Sequence, residues 1–321
     1  FSEKATIGGG MATNSSGPKT PYYNLPRDLI LGAKIVDPNG IVVGTGGKTV
    51  KNVSGYDVSK LMLGSYGSLG IICEMTMRLL PLPEAMATGL YFFKDFPGAA
   101  AFADELLNTG MLPAAVEVME RSCYGSLAVE GAPEVDGAWF VAVAMEHFEP
   151  AVERMKKDCA EMAARNGAIK TGVVDSEDAH ALFWLKVGDL IPVGASPDGK
   201  YVSVKMNYPI SCWKDIAGFT VEAFEKTGAP FKVMAHAGTG VCLATVDISG
   251  VDGAIADTVR ELAGKCGGQG GKLTVLYAPT GLKSALPVWG EAGSDFILNQ
   301  RLKRKLDPAG TMCPGRYVGG L

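Results

Sequence analysis

The segment Leu80-Pro81-Leu82-Pro83 constrains this chain more than any other. Neither proline can donate a backbone hydrogen bond, and each disfavours the helical region for the residue before it, so no helix and no central strand runs through these positions. A domain boundary is therefore placed near Glu84, dividing the chain into 1–83 and 84–321. The two parts differ in texture. In the first, glycine clusters from Gly8-Gly9-Gly10 through Gly46-Gly47 to Gly64, Gly67 and Gly70 separate short β-branched runs. Leu29 to Val36, Gly40 to Val43 and Gly70 to Leu80 read as strands, joined by turns such as Asp37-Pro38-Asn39-Gly40. Residues 12–31 read as an irregular crossing.

Beyond Glu84 strands alternate with amphipathic helices. Strands are expected at Thr88 to Phe93, Ala114 to Met119, Trp139 to Met145, Val202 to Met206, Phe231 to His236, Val241 to Asp247 and Leu273 to Tyr277. Helices are expected at Phe96 to Thr109, Arg121 to Val129, Glu149 to Asn166, Ala179 to Val187, Ser211 to Thr227, Val251 to Gly264 and Ser294 to Leu306. In the third of these, Val152, Met155, Cys159 and Met162 recur at spacings of three and four, one face of a helix. Two β-α-β units with helices on one face of an antiparallel sheet make an α+β fold of ferredoxin-like style.

Composition narrows the function classes. With 30 Lys+Arg against 34 Asp+Glu the net charge is −4, which argues against a nucleic-acid reader. A chain of 321 residues with 47% hydrophobic content can bury more than one core. The longest apolar runs, such as Trp139 to Met145, fall well short of the roughly 18 residues a membrane-spanning helix needs. Phe1-Ser2-Glu3-Lys4 lacks the basic start and apolar stretch of a signal peptide, and a cytoplasmic location is expected. Seven cysteines stand singly without a CxxC pair, as free thiols do, and three histidines are too few for an all-histidine metal centre.

Three glycine-bearing stretches carry the chemistry. Thr6-Ile7-Gly8-Gly9-Gly10-Met11-Ala12-Thr13-Asn14-Ser15-Ser16-Gly17 lets the main chain approach a flat ring or a diphosphate and exposes successive N–H groups. It matches neither GxGxxG nor GxxxxGK[ST]. Lys60 to Ile72 places Gly64, Gly67 and Gly70 at intervals of three before an apolar strand. Asp307-Pro308-Ala309-Gly310-Thr311-Met312-Cys313-Pro314-Gly315-Arg316 follows the last helix.

In this order and separation the three resemble the FAD-linked oxidases of the vanillyl-alcohol oxidase superfamily, with patterns of the form TIGG-x-x-A-T-N-x-S-G, L-x-x-G-S-x-G-x-L-G-I and LDPxGxxxPG-[KR]. Val50 to Asp57, a KN-x-x-GYD pattern, adds to the likeness. The resemblance implies that 1–83 is the second lobe of a PCMH-type FAD-binding domain whose preceding lobe is missing from this sequence, and that 84–321 is a ferredoxin-like α+β cap whose tail returns to the FAD domain. It implies FAD as cofactor, with Thr6, Gly8, Gly9, Thr13, Asn14, Ser16 and Gly17 along the flavin and pyrophosphate. Ser65, Gly67, Gly70 and Ile72 would lie along the adenosine half.

The departures from the family pattern are as specific. Hydroxyacid dehydrogenases of this family carry HxGDGNxH and EHGIG, which hold a divalent metal. Here the segments read His236-Ala237-Gly238-Thr239-Gly240-Val241-Cys242-Leu243 and Tyr277-Ala278-Pro279-Thr280-Gly281, so no metal site is expected. The substrate-clamping arginine expected three residues after a Trp falls at Val187. One branch tolerates these losses, the FAD-binding subunits of glycolate oxidase complexes. The function implied is the FAD-binding subunit of a 2-hydroxyacid dehydrogenase complex, glycolate- or lactate-type, relaying electrons from flavin to iron–sulfur partners. A second flavoprotein subunit and an iron–sulfur subunit are the partners implied, and through them a peripheral attachment to the membrane. Two alternatives stand beside it: a free-standing FAD-dependent 2-hydroxyacid dehydrogenase in which His236, Tyr277 and Lys283 supply the polar contacts, and a flavin-free scaffolding subunit.

Overall fold

The computed structural model describes residues 3–50, 55–134, 136–192, 200–249 and 254–321. Lys51 to Ser54 of the KN-x-x-GYD pattern, and the first residues of the helix expected from Val251, lie outside the described residues. The chain divides into two compact units. One comprises Glu3–Gly17, Tyr23–Pro81 and Glu291–Leu321, and the larger comprises Pro18–Tyr22 and Leu82–Gly290.

In the smaller unit, β1 (Ile30–Val36) pairs antiparallel with both β2 (Val42–Gly46) and β3 (Ile71–Met77). The Asp37 carboxylate reverses the chain between β1 and β2 by accepting from the amides of Asn39 at 2.9 Å and Ile41 at 2.8 Å. Met11, Ile30, Ala33, Ile35 and Met62 form its core. The glycine run expected to expose successive N–H groups is instead a short helix, Ile7–Ala12. Thr6 Oγ1 accepts from Gly9 N at 3.0 Å, and this cap engages amides that a loop would have left free.

The larger unit is built on an eight-stranded sheet in the order β11-β8-β10-β9-β5-β6-β4-β7, antiparallel throughout. The strands are β4 (Ala85–Phe93), β5 (Ala115–Glu120), β6 (Trp139–His147), β7 (Lys170–Val174), β8 (Tyr201–Asn207), β9 (Phe231–His236), β10 (Val241–Asp247) and β11 (Lys272–Tyr277). Helices Phe96–Leu107 and Glu149–Arg165 connect β4 to β5 and β6 to β7; Trp213–Glu225 and Ala254–Gly268 do the same from β8 to β9 and from β10 to β11. Each half therefore runs strand, helix, strand, strand, helix, strand, with its fourth, first, third and second strands side by side. The halves meet between β5 and β9, where Glu117, Val118 and Met119 face His236, Ala235 and Met234.

Alternation along the strands sorts the two faces. Tyr91, Val141, Val118, Val204 and Ala235 share a core with Phe102, Met155, Trp213 and Phe224 of the four connecting helices. On the opposite face of the first half, Phe92 and Phe140 pack against Tyr124 with ring centroids 5.3 and 5.2 Å apart. Helix Glu177–Asp189 lies against β4 on that side, burying Phe183 and Trp184.

Two elements of the larger unit depart from the sequence expectation. Lys170–Val174 forms an edge strand that its composition hides, with Gly172 in the middle, where a Cβ would fall 2.6 Å from Pro133 Cγ. The helix expected over Arg121 to Val129 is a 3-10 turn ending at Ser126, past Gly125, a poor helix former. All seven cysteines are free. Burial pushes the Cys123 and Cys159 thiols up to about 12, so neither is a nucleophile. Among the described residues no helix is long and apolar enough to cross a membrane.

Candidate functional site

The three glycine-bearing stretches come together in the smaller unit. Tyr66 N donates to Ala12 O at 2.9 Å, tying the second stretch to the first. Lys303 Nζ donates to Ser68 O at 2.8 Å and to Met312 O at 2.7 Å, tying the third to the second. Tyr317 Oη donates to Gly64 O at 3.1 Å, and its ring lies 5.8 Å from that of Tyr66. The turn around Ser65 needs left-handed backbone at Gly64 (φ 77), Tyr66 (φ 54) and Gly67 (φ 71), and a Cβ on Gly67 would stand 3.7 Å from Cys313 Sγ. Leu61, Ser65, Asn299, Leu302 and Lys303 help line a cavity of about 90 Å³ there, small beside a dinucleotide.

Of the side chains expected to face FAD, several are engaged within the chain. Thr6 Oγ1 caps the first helix, Thr13 Oγ1 donates to Gly9 O at 2.9 Å, and Ser65 Oγ donates to Met62 O at 2.7 Å. Gly8 and Gly9 lie inside that helix, Ser16 and Gly17 follow it, and Gly70 leads into β3, which begins at Ile71 and contains Ile72. Asn14 differs from these. It sits at φ 50, and its Oδ1 is buried without a hydrogen-bond partner. An unanswered amide oxygen is an acceptor for an N–H of a flavin ring or an adenine amino group, so the residues present fit part of that cofactor.

Of the candidate catalytic residues, His236 lies on the face of the large sheet opposite the four connecting helices, Tyr277 on β11 and Lys283 on the short helix Thr280–Lys283. His236 ends β9 directly opposite Glu117 of β5, and its Nδ1 is 2.5 Å from Glu117 Oε2. Both residues are buried, and among the described residues Glu117 Oε1 has no partner. Burial pushes the Glu117 carboxyl above its ordinary range, against the opposing pull of His236. A raised carboxyl pKa costs stability increasingly as pH climbs from about 4, the unfolded value, through the folded one. A Glu117→Gln chain is thus expected to melt higher than the wild type at pH 8, and the gap should close towards pH 4. Thermal denaturation across that range checks it, and a gap that widens on acidification would contradict the assignment.

Tyr277 and Lys283 form a separate pair. Lys283 Nζ lies 5.8 Å over the Tyr277 ring, and Tyr277 stacks on Tyr201 at 4.5 Å. Tyr277 stands opposite Ser203, whereas His236 stands opposite Val241, which faces Asn207. Three strand spacings and four residues separate the two, about 20 Å. The structure therefore does not bring His236, Tyr277 and Lys283 into one site.

A polar network that local sequence does not signal lies beneath helix Glu177–Asp189. Trp184 Nε1 donates to Thr88 Oγ1 at 2.9 Å, Thr88 Oγ1 is 2.9 Å from His180 Nδ1, and His180 Nε2 is 2.8 Å from Glu146 Oε1. Lys19 pairs with the same carboxylate and lies 5.7 Å over the Trp184 ring. His180, Thr88 and Glu146 are buried, and Lys19 supplies the compensating charge. Val187, the position of the expected arginine, is wholly buried in this helix.

Comparison with known proteins adds three relatives. Glycolate oxidase subunit GlcD of Bacillus subtilis is 36% identical over 117 residues, covering 36% of this chain and 25% of the relative. Glycolate oxidase subunit GlcE of Escherichia coli is 45% identical over 85 residues, covering 26% of this chain and 24% of the relative. The mitochondrial cytochrome D-lactate dehydrogenase of Arabidopsis thaliana is 23% identical over 98% of this chain and 56% of its own length. The matches thus span between about a quarter and a little over half of these relatives. An alkyldihydroxyacetonephosphate synthase structure, 18% identical, superposes with a TM-score of 0.62 over 95% of this chain and 56% of that one, a likeness of fold. Residues 82–274, a segment inside the larger unit, match the family described as FAD linked oxidases, C-terminal domain. By that match, which covers more than half of its length, the chain belongs to the FAD linked oxidase family.

Proposed function

We propose that this chain is the FAD-binding subunit of an oxidoreductase complex acting on a small 2-hydroxyacid of glycolate or lactate type. The observation that carries the reading is the meeting of Ala12, Tyr66, Ser68 and Met312 in one unit, which gathers three distant glycine-bearing stretches, the first of them holding the unanswered Asn14 oxygen. In this reading the smaller unit is the second lobe of a PCMH-type FAD-binding domain and the larger one is its cap. Both halves of the large sheet have the strand order of ferredoxin-like units. The glycolate oxidase subunits among the relatives support a complex of several subunits, and a second flavoprotein and an iron–sulfur subunit are the partners proposed for it. Seven free cysteines suit a reducing cytoplasm.

Bound FAD would supply the electron-accepting chemistry. The chain's own residues would do the rest. Asn14 Oδ1 would accept from the cofactor, and the Ser65 and Gly67 turn would present main chain to it. The Glu117 carboxyl fixes the His236 ring through Nδ1. With the shared proton on Nδ1, Nε2 is left to accept one from a substrate hydroxyl. The test is the flavin content of the natural protein, read from its absorbance, together with dye reduction by glycolate or D-lactate. Asn14→Ala is expected to weaken FAD binding about tenfold, the loss of a hydrogen bond of about 1.4 kcal/mol. A colourless natural protein, or one inert to both acids with its partners present, would overturn the reading.

A further inference from the structure

On the face of the large sheet opposite the four connecting helices, one charge goes unanswered among the described residues. Val202, Val204 and Met206 of β8 point into the helix-side core, so Ser203 and Lys205 lie on the other face with His236. The hydroxyls nearby are engaged: Ser203 Oγ donates to Thr245 Oγ1 at 3.0 Å, and Thr245 Oγ1 donates to Val202 O at 3.2 Å. Lys205 is half-buried between Leu243 and Thr274, its cross-strand neighbours, and among the described residues its ammonium has no hydrogen bond and no ion pair. Burial pushes its ammonium below the ordinary lysine range. A lysine partly stripped of water and left without a counter-charge is costly, so a bound anion would relieve it.

We propose that Lys205 is the recognition group for the carboxylate of a small organic acid lying on this face between Lys205 and His236, a proposal that rests on the reading of His236 above. Lys205 faces Leu243, which faces Met234, two residues from His236 on β9. Two strand spacings and two residues put the Lys205 and His236 Cα atoms about 12 Å apart. Side chains on one face stand roughly parallel, so the two tips start about 12 Å apart. A hydrogen bond of about 3 Å at each end leaves roughly 6 Å, which a lean of the flexible lysine towards β9 closes to the span of a two- or three-carbon acid. Leu243 and Val241, both half-buried, give that interval an apolar floor suited to the short carbon chain. One ammonium balances one carboxylate, whereas a phosphate dianion would call for a second cation beside it. Lys205 also supplies the cation that is missing at Val187, from a different element.

The test is calorimetric titration of the full chain with D-lactate and glycolate, using lactamide and inorganic phosphate as controls, for the wild type, Lys205→Met and Lys205→Arg. Carboxylate affinity should fall about 10- to 100-fold in Lys205→Met, the effect of losing a charged hydrogen bond. It should stay within about threefold in Lys205→Arg, which keeps the charge and the donors. Lactamide binding should be indifferent to both substitutions. Equal affinity in wild type and Lys205→Met, no carboxylate binding by the wild type, or tighter binding of phosphate than of either acid would each overturn the proposal. Should Lys205→Met fail to fold, protection in the wild type decides. D-lactate must slow acylation of Lys205 by an amine-reactive ester, read by mass spectrometry, while exposed Lys200 keeps its rate; an unchanged Lys205 rate overturns the proposal. Neither readout involves flavin. Carboxylate binding through Lys205 in a flavin-free, inert protein would remove the oxidoreductase reading alone, and an active flavoprotein indifferent to Lys205→Met would remove only this one.

Discussion

A Gly240→Ala chain is expected to lose about 3 kcal/mol or more of stability and to release His236 from Glu117. Gly240 turns the hairpin between β9 and β10 at φ 67, a region that costs an L-residue roughly 1–2 kcal/mol. A Cβ there would fall 2.2 Å from Tyr208 O and 3.3 Å from Ile210 N. Both are main-chain atoms, so relief requires moving the end of β8, to which Gly240 O is bound by Tyr208 N at 2.9 Å. The same hairpin sets the end of β9, because Thr239 N donates to His236 O at 3.1 Å. Strain introduced at Gly240 therefore reaches the imidazole. Denaturant unfolding gives the stability change, and the His236 ring resonances report the bond to Glu117. An unchanged midpoint with unchanged resonances would mean that the hairpin is looser than this geometry requires.

The second large effect is expected at Lys303, where Lys303→Met should cost about 3–5 kcal/mol, the usual consequence of stranding a buried partner charge. Lys303 Nζ is 2.6 Å from Asp307 Oδ2 and also donates to two main-chain carbonyls, so one side chain joins the last helix, the Ser68 turn and the terminal segment. Burial raises the Asp307 carboxyl. Lys303, the amides of Met312 and Thr311 and the Thr311 hydroxyl more than offset this and hold it well below the usual carboxylate range. A depressed carboxyl contributes stability that is complete above about pH 4, the unfolded value, and is lost as pH falls through the folded one. Wild type should hold its unfolding midpoint down to about pH 4 and lose it below, whereas Lys303→Met should start lower at neutral pH. Adding Asp307→Leu to Lys303→Met should recover part of the loss, since it removes the stranded charge. A Lys303→Met midpoint equal to wild type at pH 7 would show that the pair contributes nothing net.

The elements that can be read from residues alone are those whose pattern is local. Glu149–Arg165 follows from four apolar residues at helical spacing, and β6 from an apolar run too short for a helix and rich in β-branched and aromatic residues. Lys170–Val174 is hidden because an edge strand of five residues with a central glycine carries little β signal. The Thr6 helix is hidden because three consecutive glycines argue against a helix, and only a cap and packing on Met11 override that. His236 is marked by its place in His236-Ala237-Gly238. Glu117 is not, for it lies 119 residues away and is brought opposite by the β5 and β9 register, which no local spacing specifies. Lys205 is likewise ordinary in sequence, and becomes unusual only when the strand alternation and its want of an ion-pair partner among the described residues are known.

The seam between β5 and β9 has a mechanical consequence. The two halves of the sheet are each wound on themselves, yet along the sheet they are joined by three residue pairs, with the Glu117 to His236 bond at one end beside the Ala237 N to Val116 O bond of 3.1 Å. Pulling the halves apart, or letting them breathe in hydrogen exchange, should begin at this junction rather than within either half. Whatever occupies the face beside His236 would then act as a clasp, and the degree to which the halves unfold as one body should rise with its concentration.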